Sequence, residues 1–300
     1  MTDVDVVLVS YRSGPKLAAA VAEARRWLGE RAIVTVVDNS PGDGSADLLH
    51  PDVRVLANEE NRGFAAAVNQ AVAATSGPFV LLLNPDVSAI RGEFAAVERI
   101  LAADPDVAAV APRLVGSDGN LQRSARREPL LRDLLVDVLG LRGRFPASRR
   151  LFASHYGGWD YASERVVDAA SGAFLVLRRA ALDAVGPFDE RFFVYAEETD
   201  WLVRAKGLGW KTVLTPEVEA VHAARTSTDA DESDLALLLA ESAHAYVRKH
   251  FGARAGVAFR ADQLGVDSAR WALAAVRPGK RAHRRALARR LRLHASGTLR

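Results

Sequence analysis

The sequence predicts an α/β protein built on a doubly wound, mainly parallel sheet, with a helical C-terminal extension. Three observations carry this. Short β-branched runs alternate with Ala-rich helical segments, every polar cluster in that region follows directly on an apolar run, and the chain from about Ala258 onward is dominated by Ala, Leu and Arg.

Val4 to Ser10 (VDVVLVS) reads as a strand ending in a polar turn. Pro15 to Leu28 reads as a helix opening on proline, whose missing N–H costs nothing in a first turn. The pattern repeats as a strand at Ala32 to Asp38, a loop from Asn39 to Gly44, a short strand at Val53 to Ala57, a helix from Gly63 to Thr75 and a strand at Phe79 to Leu83. In open sheets of this kind ligands bind outside the carboxyl ends of the strands. Ser10-Tyr11, Asp38-Asn39-Ser40, Asn58 to Gly63 and Asn84-Pro85-Asp86 are therefore expected to converge on one crevice.

A helix near Gly92 to Ala103 and a strand near Val107 to Pro112 follow, then an irregular basic stretch from Gly116 to Arg150, too long for an ordinary connection. A strand at Ser171 to Leu177, a helix at Glu198 to Gly207, a strand at Thr212 to Leu214 and a helix over 233–250 complete a first domain, residues 1–250. Residues 251–300 form a basic helical extension broken at Pro278-Gly279.

Composition narrows the function classes. The 300 residues are 49% hydrophobic and 26% charged, ordinary for a globular chain. With no cysteine, disulfides, thiolate zinc sites and a thiol nucleophile are excluded. No run approaches the roughly 18 apolar residues of a membrane-spanning helix, since Asn84 and Pro85 close Phe79 to Leu83. No basic stretch followed by a cleavable apolar segment opens the chain, so a cytoplasmic location is expected. The net charge of +3 hides an asymmetry: residues 270–300 carry ten Lys/Arg and no Asp/Glu, leaving 30 basic against 37 acidic residues before them.

Three constellations carry chemistry. Asn84-Pro85-Asp86 sets a carboxylate at the end of a buried strand, where Mg²⁺ or Mn²⁺ takes one or two carboxylates when phosphates complete its shell; the same tripeptide is also a good turn. Phe192 to Asp200 runs an aromatic stretch into Glu197, Glu198 and Asp200, a helix start that suits either simple capping or a shielded carboxylate base. His222, after an apolar run and before Arg225-Thr-Ser-Thr228, is a structural imidazole or a ligand for Mn²⁺.

Taken in order, Val9-Ser10-Tyr11, Val37-Asp38-Asn39-Ser40 with Asp43-Gly44-Ser45, Asn61-Arg62-Gly63-Phe64 with Asn69, Asn84-Pro85-Asp86, Ser171-Gly172-Ala173, Gly186 to Phe193, Glu197-Glu198-Thr199-Asp200 and His222 resemble family 2 glycosyltransferases of GT-A fold, of the bacterial rhamnosyltransferase type. The resemblance covers roughly residues 4 to 250 and implies a single Rossmann-like domain with a mixed central sheet. It implies donor contacts from Ser10, Tyr11, Asp38, Asn39, Asn61, Gly63, Asn69, Asn84 and Asp86, and a metal, Mg²⁺ or Mn²⁺, at Asp86 and His222. It implies catalytic carboxylates among Glu198, Glu197 and Asp200, with Glu198 matching the base, and an acceptor site near Arg126, Gly172, Tyr195 and Trp201. The implied reaction is inverting transfer of L-rhamnose from dTDP-L-rhamnose to a polyprenyl-diphosphate-linked N-acetylglucosamine in cell-wall or surface polysaccharide synthesis. The family's acidic motif is Glu-Asp where this chain has Glu197-Glu198, which leaves the choice of base between the two open.

A lipid-linked saccharide acceptor sits in a membrane. Arg277, Lys280, Arg281, Arg284, Arg285, Arg289, Arg290 and Arg292, with Trp271, Leu273, Leu287, Leu291 and Leu293 between them, would supply charge and apolar contact to an anionic surface. The expectation is a cytoplasmic protein peripheral at the inner face of the membrane. No nucleic-acid motif accompanies the charge, and none is expected as partner. The first βα turn, Ser10-Tyr-Arg-Ser-Gly14, lacks the dinucleotide fingerprint, which counts against an oxidoreductase. A family member with another donor or acceptor, or a non-catalytic sugar-nucleotide-binding module, stays open at this point.

Overall fold

The computed structural model describes residues 3–145, 148, 150–223, 232–275, 287, 288 and 291. The chain runs β1 (Val4–Ser10), α1 (Pro15–Leu28), β2 (Ala32–Asp38), β3 (Arg54–Ala57), α2 (Phe64–Ala73), β4 (Phe79–Leu83), β5 (Val87–Arg91), α3 (Phe94–Ala103), β6 (Val107–Val115) and β7 (Ala125–Arg126). It continues with α4 (Leu131–Val138), α5 (Leu141–Arg144), β8 (Arg165–Val167), β9 (Ala169–Ala170), β10 (Phe174–Arg178), α6 (Arg179–Val185), α7 (Glu197–Gly207), β11 (Lys211–His222), α8 (Glu232–Phe251) and α9 (Ala253–Ala275). Two compact units result, one of Met1–Glu128, Gly158–Glu190 and Glu197–Asp229, the other of Pro129–Gly157, Arg191–Ala196 and Ala230–Arg300.

The first unit holds a nine-stranded mixed sheet in the order β3-β2-β1-β4-β10-β6-β11-β5, with β8 also on β11. β1 pairs in parallel with β2 and β4, Ser10 level with Asp38, so the expected strand ends do line up. β10 then runs antiparallel between β4 and β6, and β11 pairs in parallel with β6 but antiparallel with β5. Parallel strands buried on both faces explain the unbroken apolar runs: every residue of β1 is buried, as are the last four of β4. Trp27 of α1 fixes the helix to the sheet, its ring edge-on to Phe94 and Phe174 at 5.2 and 5.4 Å and its Nε1 donating to the Gly92 carbonyl at 2.9 Å.

The strands and helices expected at 4–10, 15–28, 32–38 and 79–83 have those bounds. Others differ for physical reasons. β5 is five residues long, immediately follows the Asn84-Pro85-Asp86 turn and buries Val87 and Ile90, so its strand signal is too short to stand out. β11 runs twelve residues where three were expected, because Pro216 interrupts the apolar run and the ladder with β6 shifts register between Thr215 and Glu219. Proline lacks the donor for a central ladder, and a bulge accommodates it. The stretch from Gly116 to Arg150 contains a β-turn, β7, α4 and α5.

In the second unit α8 and α9 pack closely, the Cβ position at Gly256 being only 3.2 Å from Arg248 Cβ. Gln263 donates to the Ala240 carbonyl at 3.2 Å, Arg270 to that of Val138 at 2.9 Å, and Ser242 to that of Val194 at 2.7 Å. The boundary expected at residue 250 falls at the end of α8, inside this unit. Arg277 to Arg285, Arg289, Arg290, Arg292 and Leu293 lie outside the described residues, as does the Pro278-Gly279 break. Trp271 and Leu273 of α9 are exposed, and no helix among the described residues is long and apolar enough to cross a membrane.

Gly92 and Gly209 both hold φ near +90°, but a Cβ on Gly92 would meet the Glu217 carbonyl oxygen at 2.1 Å, while Gly209 faces open space. Gly92→Ala is expected to destabilise by about 2–3 kcal/mol and Gly209→Ala by about 1 kcal/mol. Denaturant midpoints of the two variants check this, the difference between them reading the steric term alone.

Candidate active site

The loops after β1 and β2 interlock. The Asn39 amide donates to the Ser10 carbonyl at 2.8 Å, Arg12 N to Ser40 Oγ at 2.8 Å, and Gly14 N to Ser45 Oγ at 2.7 Å. Asp38 is buried at the end of β2 and its Oδ1 accepts from Ser40 N at 3.0 Å. Asp43 braces the second loop through Ser40 Oγ and Ser45 N; burial alone pushes its carboxyl up, but these donors outweigh it and hold it below its usual 3.8. Ser10 is buried with its Oγ 3.1 Å from Ser13 Oγ, and Tyr11, partly exposed, lies beneath the Arg12 guanidinium.

Two residues expected to contact the donor are engaged by the protein's own groups. Asn39 is buried, donating to the Gly63 carbonyl at 3.1 Å and accepting from Asn58 Nδ2 at 2.8 Å. Asn69 on α2 donates to the Phe188 carbonyl and Glu190 Oε1, and accepts from Phe188 N, at 2.9–3.0 Å. Both side chains thereby tie neighbouring loops together around the strand ends. Asn61 accepts from Gly63 N at 3.0 Å, and Gly63, at φ +85°, opens α2 with no side-chain cap, leaving first-turn amides of that helix for another acceptor.

Asn84-Pro85-Asp86 is indeed a turn, Val87 N donating to the Asn84 carbonyl, and it links β4 to β5. Because His222 pairs with Val87 across the β5–β11 ladder and Ala223 N donates to the Asp86 carbonyl at 3.0 Å, the end of β11 lies beside Asp86. His222 Nε2 is 3.3 Å from Asp86 Oδ1, without hydrogen-bonding alignment. Asp86 is 4% exposed, and its Oδ1, like Asn84 Oδ1, is buried with no donor among the described residues. A buried carboxylate oxygen left without a donor beside an imidazole nitrogen suits a hard or borderline cation. Among the described residues no group of three or more His, Cys, Asp or Glu gathers as a metal cluster, so such an ion would need further oxygens from a ligand, as diphosphates provide. Gln122, unmarked in the sequence reading, holds the other side of His222. Its signal was the Asp118-Gly119 turn just before it, which marks a tight reversal that brings the next residues back.

The acidic motif starts α7. Glu197 and Glu198 occupy its first turn, preceded by Tyr195 and Ala196 at φ +71° and +72°. Glu198 lies against Gly172, where a Cβ would come within 3.3 Å of its Cβ and Cγ, so only glycine fits without displacing it. Gly172 in turn neighbours Ala173, whose carbonyl accepts from Asn84 N at 2.9 Å, so the Asp86 turn and Glu198 flank one short loop. Arg126, positioned by the β7–β9 pairing, stands 3.9 Å from Glu198 Oε1. Glu197 is more deeply buried, and its Oε2 has no donor. Burial, and then the neighbouring Glu198, push its carboxyl well above the usual 4.5.

Two residues expected at the site are enclosed in the protein. Trp201 is fully buried, its Nε1 donating to the Gly186 carbonyl at 2.9 Å and its ring stacked on Phe188. Asp200 is also fully buried and pairs with Arg204 at 2.9 Å, which anchors α7 to the Val185 and Pro187 carbonyls. Tyr195 belongs to the second compact unit. Arg225 and Thr226 to Thr228 lie outside the described residues.

Residues 5–184 match glycosyl transferase family 2. The chain is similar to the N-acetylglucosaminyl-diphospho-decaprenol L-rhamnosyltransferase of Mycobacterium tuberculosis, 32% identical over 247 residues that cover 77% of this chain and 80% of that protein. It is also similar to the pre-mycofactocin glycosyltransferase of the same organism, 30% identical over 230 residues, 75% of this chain and 43% of that one. In three dimensions it is similar to a mannosyltransferase of Pyrobaculum calidifontis solved with GDP-Man and Mn²⁺, at a TM-score of 0.54 and 17% identity over 99% of this chain and 88% of that one, which makes the architecture GT-A-like. By its sequence, the chain belongs to glycosyl transferase family 2 and is a sugar-transferring enzyme.

Proposed function

We propose that the chain is an inverting, metal-dependent transferase that moves L-rhamnose from dTDP-L-rhamnose to a polyprenyl-diphosphate-linked saccharide. The observation that carries the metal and donor half is the buried, donor-less Asp86 Oδ1 facing His222 Nε2 at 3.3 Å. The rhamnosyl donor and lipid-linked acceptor rest on the similarity to the mycobacterial rhamnosyltransferase. Mg²⁺ or Mn²⁺ held by Asp86 and His222 would neutralise charge on the departing diphosphate.

Ser10, Tyr11 and Asp38, held level by the β1–β2 register, serve the nucleoside, with Asn39 and Asn61 keeping their loops in place. The uncapped α2 start at Gly63 serves the diphosphate, and Asn84 shapes the turn that carries Asp86. Glu198 is the base: it takes the proton of the acceptor hydroxyl as that oxygen attacks the anomeric carbon, the bond to the diphosphate breaks, and the configuration inverts. Arg126 and Gly172 position Glu198. Glu197, deeper than Glu198 and with its carboxyl pushed up by burial and then by Glu198, is the neighbour rather than the base. The exposed Trp271 and Leu273 and the basic residues that follow would bring the enzyme to an anionic membrane face, where it works as a peripheral cytoplasmic protein.

Glu198→Gln is expected to lower kcat by about 10²- to 10⁴-fold, Asp86→Ala to abolish metal-stimulated transfer, and Glu197→Gln to retain most activity. Transfer of radiolabelled rhamnose to a synthetic polyprenyl-diphosphate N-acetylglucosamine reads all three; full activity in Glu198→Gln would remove that residue as base.

Glu197 also predicts a pH signature. Its folded pKa lies above its unfolded value of 4.5, so its stabilising contribution is fully present below that pH and is lost as pH rises through the folded value. Glu197→Gln, which stays neutral, should match the wild type in acid and exceed it in Tm increasingly as pH rises. A Tm difference that stays flat from pH 4.5 to about 9 would contradict the buried, protonated carboxyl.

A further inference from the structure

We propose that Gln122 is a positioning residue for the metal-ligand pair of Asp86 and His222: it fixes His222 as the Nδ1–H tautomer and thereby keeps the lone pair of Nε2 aimed at the metal ion. The inference rests on the reading of Asp86 and His222 as metal ligands given above, and adds to it the group that sets the imidazole.

Gln122 meets His222 twice. Its Nε2 donates to the His222 carbonyl at 2.7 Å, which settles which end of the amide is which, and its Oε1 lies 2.9 Å from Nδ1. An amide oxygen only accepts, so Nδ1 must be the donor, and a neutral ring then carries its lone pair on Nε2. That nitrogen faces Asp86 Oδ1 at 3.3 Å, an oxygen with no donor among the described residues. Two electron-pair donors so close repel one another unless a cation stands between them. With Gln122 lost, the ring is free to protonate at Nε2 and donate to Asp86, which would occupy both ligands and close the site to metal.

The backbone around Gln122 is built to hold this. Val115 and Leu121 bridge antiparallel, Gln122 N donates to the Leu114 carbonyl at 2.9 Å, and Gly116 N to that of Asn120 at 2.8 Å. Asp118 closes the reversal on Asn120 N and Nδ2 at 3.0 and 2.7 Å, with Gly119 at φ +78°. Since β6 pairs with β11 at Leu114–Ala220 and Val115–Val221, this reversal carries Gln122 directly to His222.

Two measurements test it. The first uses metal-free wild-type protein at about pH 8, where a neutral imidazole is the ordinary form. ¹⁵N spectra of histidine-labelled protein, with His222 assigned by its absence in His222→Ala, should show a protonated Nδ1 and a bare Nε2. An Nε2–H tautomer would overturn the proposal without any Gln122 variant.

The second titrates Mn²⁺ by electron paramagnetic resonance in the presence of dTDP. Gln122→Leu is expected to weaken Mn²⁺ binding by roughly 10- to 100-fold and to shift His222 toward Nε2–H. Gln122→Glu, which keeps an acceptor opposite Nδ1, should bind Mn²⁺ more tightly than Gln122→Leu. If His222→Ala weakens Mn²⁺ binding but Gln122→Leu does not, Gln122 is only a clasp between the reversal and β11, and the inference fails alone. Should His222→Ala leave Mn²⁺ binding intact, the metal reading itself fails and takes this one with it.

Discussion

His222 pairs with Val87 across the β5–β11 ladder, but Val221 pairs with Ala89, so Ser88 is left over and the ladder bulges at that step. A β-strand alternates its side chains, and without the bulge the register running through Glu219, Ala220 and Val221 would leave His222 opposite Ser88, one residue further from Asp86. The extra residue re-aims the last side chain of β11 at the turn after β4. Everything proposed for the metal depends on that one slip, and it is why β5, an edge strand of five residues, matters more than its size suggests.

The same economy appears on the acidic side. Two carboxylates next to each other in a helix's first turn cannot share an apolar setting as equals, because ionising both there is expensive. The chain separates them by surroundings. Glu198 lies against Gly172 with Arg126 3.9 Å away, whereas Glu197 is deeper and has no donor on Oε2. Burial then raises Glu197 first and the neighbouring Glu198 raises it further, so the two members of a repeated residue type meet different surroundings. The one-methylene change from the family's Glu-Asp motif lengthens the second side chain, and the missing Cβ at residue 172 supplies room beside it.

The parallel half of the fold was legible because burial on both faces writes long apolar runs: β1, β2 and β4 have the bounds their composition implies. So was the convergence of strand-end clusters, since it follows from parallel pairing and not from any side chain. What composition could not reveal was direction. Asn39, Asn69, Asp200 and Trp201 have the residue types of a binding site, yet each is engaged by the protein itself, the asparagines by loop backbone, Asp200 by Arg204, Trp201 by Phe188. Nothing in a one-dimensional pattern separates a polar group that satisfies the protein's own backbone from one that satisfies a ligand. β5 and the long β11 were hidden for a simpler reason, the first by brevity and the second by Pro216.

Those internally bonded residues explain how the site keeps its shape. Asn39 joins the β2 loop to Gly63 and Asn58, and Asn69 joins α2 to the Phe188 loop. Arg204 joins Asp200 of α7 to the Val185 and Pro187 carbonyls of the segment before it. The loop bearing Phe188 is therefore gripped from α2 on one side and from α7, which carries Glu198, on the other. A base and a leaving-group site must keep a separation set by the sugar between them, and a misplacement of about 1 Å costs on the order of 10²-fold in rate. Residues bonded to the protein's own loops thus hold those loops at a fixed distance, which is sufficient reason for binding-type residues to appear in order along the sequence and be spent on internal bonds.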